Sequence, residues 1–191
     1  MAGPILTRVT DPEPLLTLAE AKAHLRVDHT DEDALITALV QAVTAALDGP
    51  QGMYGYPVTS QRWSLSTYGP DSDGYLHLPV TPAASLFSVS YFPQDGGAAV
   101  VADDAGELAA WTLRAAETWA YVVPASGTWP ALADRPDAVT VVYTAGYAAP
   151  FADIKQAARF MLAGMYDNRE GQGAGPQVEA LVNLRRRWWL S

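Results

Sequence analysis

The strongest constraint on the fold is a double change in apolar periodicity along the chain. Leu35, Ile36, Leu39, Val40, Val43, Ala46 and Leu47 recur at spacings of three and four, the stripe of an amphipathic helix. From about residue 56 to 147 the repeat shortens to alternation, in brief runs punctuated by proline, glycine and aromatics. Ile154, Ala157, Ala158, Met161, Leu162 and Met165 then restore the helical spacing. Helix, sheet and helix in that order predict an α+β chain. Two N-terminal helices and one C-terminal helix form its core, and a mostly antiparallel β-sheet is inserted between them.

Local signals place the boundaries. Thr17-Leu18-Ala19-Glu20 reads as a capping box, the Thr17 hydroxyl accepting from the Glu20 amide while Glu20 reaches back. This predicts a first helix over about 17–27, broken at Val27-Asp28-His29. Asp31, Glu32 and Asp33 suit the first turn of a second helix over about 31–48, where the helix dipole favours acids. Gly49-Pro50 ends it. Asp153 is the expected cap of a third helix, about 153–169.

Strands are predicted at Arg62 to Ser66, Tyr75 to Leu78, Leu86 to Phe92, Ala98 to Val101, Trp111 to Leu113, Trp119 to Val123 and Val139 to Tyr143. They imply one small sheet of five to seven strands. Residues 1–170 thus read as one domain with its β insertion at about 56–147. Residues 171–191 read as a hinge (Gly171, Gly173, Gly175), a short helix over Val178, Leu181 and Val182, and a tail.

Charge separates body from tail. Residues 1–150 carry seventeen acids against six bases, residues 151–191 four against six. Arg185-Arg186-Arg187 is followed directly by Trp188-Trp189. Arginine and tryptophan are enriched at interface hot spots, so these five residues are the candidate docking segment. Cutting the chain after Gly171 is expected to leave a folded domain that no longer docks. A pI near 4.6 argues against a body that grips nucleic acid. Absent cysteine excludes disulfides, thiolate zinc sites and cysteine nucleophiles. The sequence has no apolar run of membrane-spanning length, and its opening lacks the pattern of a signal peptide.

Catalytic and cofactor patterns fare poorly. His24, Asp28 and His29 are close in sequence but lack a third metal ligand and read as a solvated helix end. Capping explains Asp31, Glu32 and Asp33. Gly171-x-Gly173-x-Gly175 follows a helix, not the strand that a dinucleotide loop requires. The chain has three histidines and no G-x-S-x-G elbow. Trp63, Tyr75, Phe87, Tyr91, Trp111, Trp119 and Tyr121 alternate with polar residues and read as one buried sheet face. The other reading of those aromatics is a carbohydrate- or peptide-binding β module. No catalytic residue, metal or cofactor is assigned, and the chain is read as a non-enzyme.

The segment Leu18-Ala19-Glu20-Ala21-Lys22-Ala23-His24-Leu25-Arg26-Val27-Asp28, followed by Asp31-Glu32-Asp33-Ala34-Leu35-Ile36, resembles the opening of head–tail connector (adaptor) proteins of long-tailed phages. Gln61-Arg62-Trp63-Ser64-Leu65, Leu78-Pro79 with Ser85 to Tyr91, Pro136 to Val141, and Tyr143-Thr144-Ala145-Gly146-Tyr147 are similar to later landmarks of that family. So are Ile154-Lys155-Gln156-Ala157 and Tyr166-Asp167-Asn168-Arg169-Glu170. The likeness covers most of residues 15–170. The chain departs from the family at its end, where Arg185 to Trp189 stand in place of a tyrosine–arginine pair.

The resemblance implies a structural ring subunit, usually one of twelve, in the neck of a virion or of a phage-derived gene transfer particle. Such a subunit is assembled in the bacterial cytoplasm. Its partners would be the portal, reached by the C-terminal segment, a stopper or tail-completion protein, and further copies of itself. DNA would pass through the ring's channel without sequence-specific binding. A stopper or tail-completion role in the same neck is the neighbouring alternative.

Overall fold

The computed structural model describes residues 3–167 and 175–186. The elements run β1 (Ile5–Arg8), α1 (Leu18–Leu25), α2 (Asp33–Leu47), β2 (Gln61–Thr67), β3 (Leu76–His77), β4 (Ala83–Tyr91) and β5 (Val100–Ala102). They continue with α3 (Ala105–Leu108), β6 (Trp111–Ala115), β7 (Ala120–Pro124), β8 (Val139–Ala145), α4 (Ala152–Asp167) and α5 (Pro176–Asn183). The class is α+β. Residues 1–11 and 61–146 form one unit, residues 12–60 and 147–191 the other.

The helical unit is assembled from separated stretches of sequence. Thr17 caps α1 through a complete capping box, and Arg26 closes it in the left-handed conformation with φ 58°. Along α2, Ile36, Val40, Val43 and Leu47 are buried. They share a core with Ile154, Ala157, Ala158 and Leu162 of α4 and with Val178 and Val182 of α5.

Polar links tie these helices together. Lys155 Nζ donates to Glu20 Oε1 at 3.0 Å, Lys22 to Asp33, and the Tyr166 hydroxyl to Glu32. Glu32 occupies the N-cap of α2 without a side-chain cap bond. The acids expected only to cap α2 therefore also serve as tertiary acceptors. Asp153 likewise lies inside the first turn of α4 rather than capping it.

After α2 the chain reverses tightly. Asp48 is buried, and its Oδ1 accepts from Val58 N at 2.6 Å and Thr59 N at 3.2 Å. The turn admits only glycine at Gly52, where a Cβ would lie 2.4 Å from the Asp48 carbonyl oxygen.

The β unit corrects the expectation of one sheet. It holds a five-stranded sheet, β1-β2-β8-β4-β5, and a three-stranded sheet, β3-β7-β6. All the pairings are antiparallel. The two sheets share a core of Trp63, Leu65, Val89, Val139, Val141 and Tyr143 with Leu76, Val80 and Val122. The Tyr143 hydroxyl accepts from Val80 N at 3.1 Å inside it. β1 was not foreseen. All four of its residues are exposed, so no alternation marks it.

Candidate functional site

The candidate docking segment begins just after α5. Pro176 opens α5, where its missing N–H costs nothing, and Val178 and Val182 bury one face. Gly175 is the N-cap with φ −66°, a conformation open to any residue. Gly171 and Gly173 lie outside the described residues, as do Arg187, Trp188 and Trp189. At the helix end, the Arg185 and Arg186 amides both donate to the Val182 carbonyl.

Arg185 is already engaged within its own unit. Its Nε donates to Asp153 Oδ2, and its guanidinium sits 4.0 Å from the centre of the Phe151 ring. This cation–π contact adds to the ion pair. The hydrogen bond to Asp153 raises the Arg185 pKa above its ordinary value. Behind Phe151 runs an edge-to-face file of rings: Tyr147 at 4.8 Å, then Tyr56 at 6.2 Å, then Tyr54 at 6.1 Å. Tyr54 is wholly buried. Burial, reinforced by the Asp153 charge, pushes its hydroxyl pKa well above the usual phenol range. Arg185 thus bolts the root of the C-terminal segment to the start of α4. The sequence signalled the arginine but gave no sign of its acceptor 32 residues earlier.

The aromatics do not form one buried face. Trp63 is buried, and Tyr91, Trp111 and Tyr121 are half-buried, but Tyr75, Phe87 and Trp119 are exposed. The reason is register. On β3 and β7 the inner positions belong to Leu76, Ala120 and Val122, which turns the aromatics between them outward. Phe87 stands at a shift in the β4–β8 register, with Arg62 stacked on it at 3.8 Å.

Outside the three-stranded sheet, Tyr121 meets Tyr75 at 4.6 Å, Trp119 in a stack at 5.7 Å and His77 at 6.0 Å. Asp71 braces this face, accepting from Tyr75 N at 2.8 Å and lying 3.0 Å from His77 Nε2. The Tyr75 amide, followed by the other donors, lowers the Asp71 pKa.

The surface of the described residues also carries hollows. One of about 300 Å³ lies between the approach to α1 and the side of α2, lined by Glu13, Leu16, Leu18, Thr37 and Val40. Another, about 450 Å³, is bounded by Tyr91, Pro93, Asp95 and Pro130. His24, Asp28 and His29 gather no third ligand, and among the described residues no cluster of metal-ligating side chains occurs. Nor, among those residues, is any helix long and apolar enough to cross a membrane.

Residues 15–78 match the family model of phage gp6-like head-tail connector proteins. No curated protein matches the chain. Among solved structures, a chain in the neck of an empty GTA particle, computed with C6 symmetry, superposes with a TM-score of 0.73 at 24% identity. A chain in the virion of a native gene transfer agent (GTA) particle gives the same values. One in the neck of a native GTA particle, computed with C12 symmetry, gives 0.63 at 20%. Each alignment covers 98% of this chain and 97% of the other. The connector resemblance read from the sequence is therefore met by a family match over α1, α2, β2 and β3 and by a shared fold over nearly the full length.

Proposed function

We propose that this protein is a structural head–tail connector (adaptor) subunit in the neck of a phage or gene transfer particle. Copies form a ring, twelve in the simplest case, that joins the portal to the tail. The observation that carries this reading is the coincidence of two independent likenesses. A connector family model matches residues 15–78, and chains of gene transfer agent necks share the fold across both units. The role is mechanical: the subunit holds two larger assemblies in line and transforms no substrate.

Docking on the portal is assigned to Arg186, Arg187, Trp188 and Trp189, with Arg185 fixing where that segment leaves the body. Gly171, Gly173 and Gly175 would be the joint between α4 and α5. The net charge of −9 suits a channel wall, because negative surface repels the DNA backbone and lets it slide without sequence-specific binding. Below the ring, a stopper or tail-completion protein would continue the channel. Assembly belongs in the bacterial cytoplasm and the finished subunit in the virion neck.

The test is electron microscopy of particles made with and without this gene. Loss of one ring between portal and tail, with heads that do not join tails, is the expected result. Particles with an unchanged collar would reject the assignment. One observation favours a second reading, a ligand-binding β module: the exposed Tyr75–Tyr121–Trp119 face. A glycan titration that shifts tryptophan fluorescence in the wild type but not in Trp119→Ala would support that alternative.

A further inference from the structure

Both edges of the five-stranded sheet are open. β1 bounds one edge and β5 the other. Exposed apolar side chains mark each: Ile5 and Leu6 on β1, Val100 and Val101 on β5. Such edges invite strand addition unless they are blunted or used.

The hydrogen-bond pattern shows which groups face outward. Val9 N donates to Arg62 O. Alternation along an antiparallel pair then turns the Thr7 and Ile5 backbone toward β2 and that of Leu6 and Arg8 away from it. Phe92 N donates to Ala138 O, so past the register shift Ser88 and Ser90 face β8 while Val89 and Tyr91 face β5. Val89 and Tyr91 therefore bond Ala102 and Val100, and Val101 presents its N–H and C=O outward. Among the described residues, no backbone bond beyond the sheet involves the Leu6, Arg8 or Val101 amides.

Five strands paired antiparallel throughout leave β1 and β5 running in the same direction. One cyclic step of a twelve-fold ring turns a subunit through only about 30°, so strand direction is nearly kept between neighbours. β5 of one copy and β1 of the next would therefore meet in parallel. Parallel pairing sets a residue with outward groups against the one between two others, which places Val101 opposite Thr7. Val101 N–H then donates to the Leu6 carbonyl, and the Arg8 N–H donates to the Val101 carbonyl. Val100 falls beside Leu6 on the core-side face, as their pairing with Tyr91 and Leu65 requires.

Charge agrees with this register. Arg8, paired in its own chain with the exposed Asp11 at 3.3 Å, comes beside the end of β5, where Asp103, Asp104 and Glu107 are exposed. Opposite charges set across a contact fix register and partner. The contact is confined to these few residues. Pro4 lacks an N–H, and the Asp103 amide donates to Glu107 Oε2 at 3.4 Å.

We propose that the sheet continues from subunit to subunit, β5 of one copy pairing in parallel with β1 of a second copy. This rests on the ring reading above and supplies the head-to-tail contact that a closed ring needs.

The chain has no cysteine, so introduced thiols report cleanly. Particles are prepared with Leu6→Cys and Val100→Cys in one chain, oxidised, and run on a non-reducing gel, with the necks imaged in parallel. A ladder extending beyond the dimer, absent from either single variant, is expected. Val101→Pro removes one of the two bonds without touching the β4 pairing. It should cut ring incorporation about tenfold at an unchanged melting temperature. Rings visible in the necks with no ladder would overturn the edge pairing and leave the connector reading intact. Dimers from Leu6→Cys alone would show a two-fold β1 contact and overturn it as well. Necks without this protein would sink both.

Discussion

At the residue scale, two carboxylates hold the helical unit by different means. Asp48 is buried and satisfies two amides that have no water to turn to, Val58 N and Thr59 N. Asp48→Ala strands both donors, and denaturant unfolding should show a loss of about 3 kcal/mol. Asp48→Asn keeps one acceptor and should lose less. Glu20 sits nearer water. The Thr17 amide first, then Lys155, lowers its pKa from 4.5 to about 2. A depressed carboxylate stabilises the fold above its unfolded pKa and ceases to do so as pH falls through the folded one. Glu20→Gln should therefore cost about 1 kcal/mol at neutral pH, a modest figure because the side chain keeps some solvent contact. The gap between variant and wild type should close as pH drops from about 4.5 toward 2. A constant gap across that window would mean that Glu20 acts by packing.

At the element scale, α5 belongs to the core and not to the tail. Val178 and Val182 are as buried as the centre of α4. That burial argues against the sequence-based expectation that a cut after Gly171 spares the fold. That truncation exposes the surface α5 covers and should destabilise by about 3–5 kcal/mol in a thermal or urea melt. What was readable follows the same division. The capping box at Thr17, the α2 stripe and the Trp63–Leu65 alternation are local signals, and each sits where the local pattern put it, save that Leu35 at the start of the stripe is exposed. The split into two sheets, the outward turn of Tyr75 and Trp119, and the Arg185–Asp153 bolt depend on partners tens of residues away. No period encodes those. β1 escaped because an exposed edge strand has no buried face to print a pattern.

At the scale of the whole molecule, an acidic body carries a basic, aromatic terminus, and the structure shows Arg185 at its root anchored to the body. Arg185 is held by Asp153 and Phe151, so removing it frees the root of the segment and leaves the terminal residues themselves intact. The portal contact proposed above is assigned to residues 186–189. Tryptophans buried at an interface centre commonly contribute 2 kcal/mol or more each, whereas a rim arginine contributes little and is screened by salt. Trp188→Ala with Trp189→Ala should therefore weaken capture by portal rings about thirtyfold or more. Arg186→Ala should weaken it only a few-fold, and its deficit should shrink in high salt. Arg185→Ala is expected to fall between them, through loss of a fixed exit direction and not of a contact. Titration of labelled protein onto portal rings at two ionic strengths distinguishes these outcomes. If the arginine losses matched the tryptophan loss and salt abolished both, the segment would be an electrostatic arm seeking an acidic ring, and the aromatic anchor would have to be abandoned.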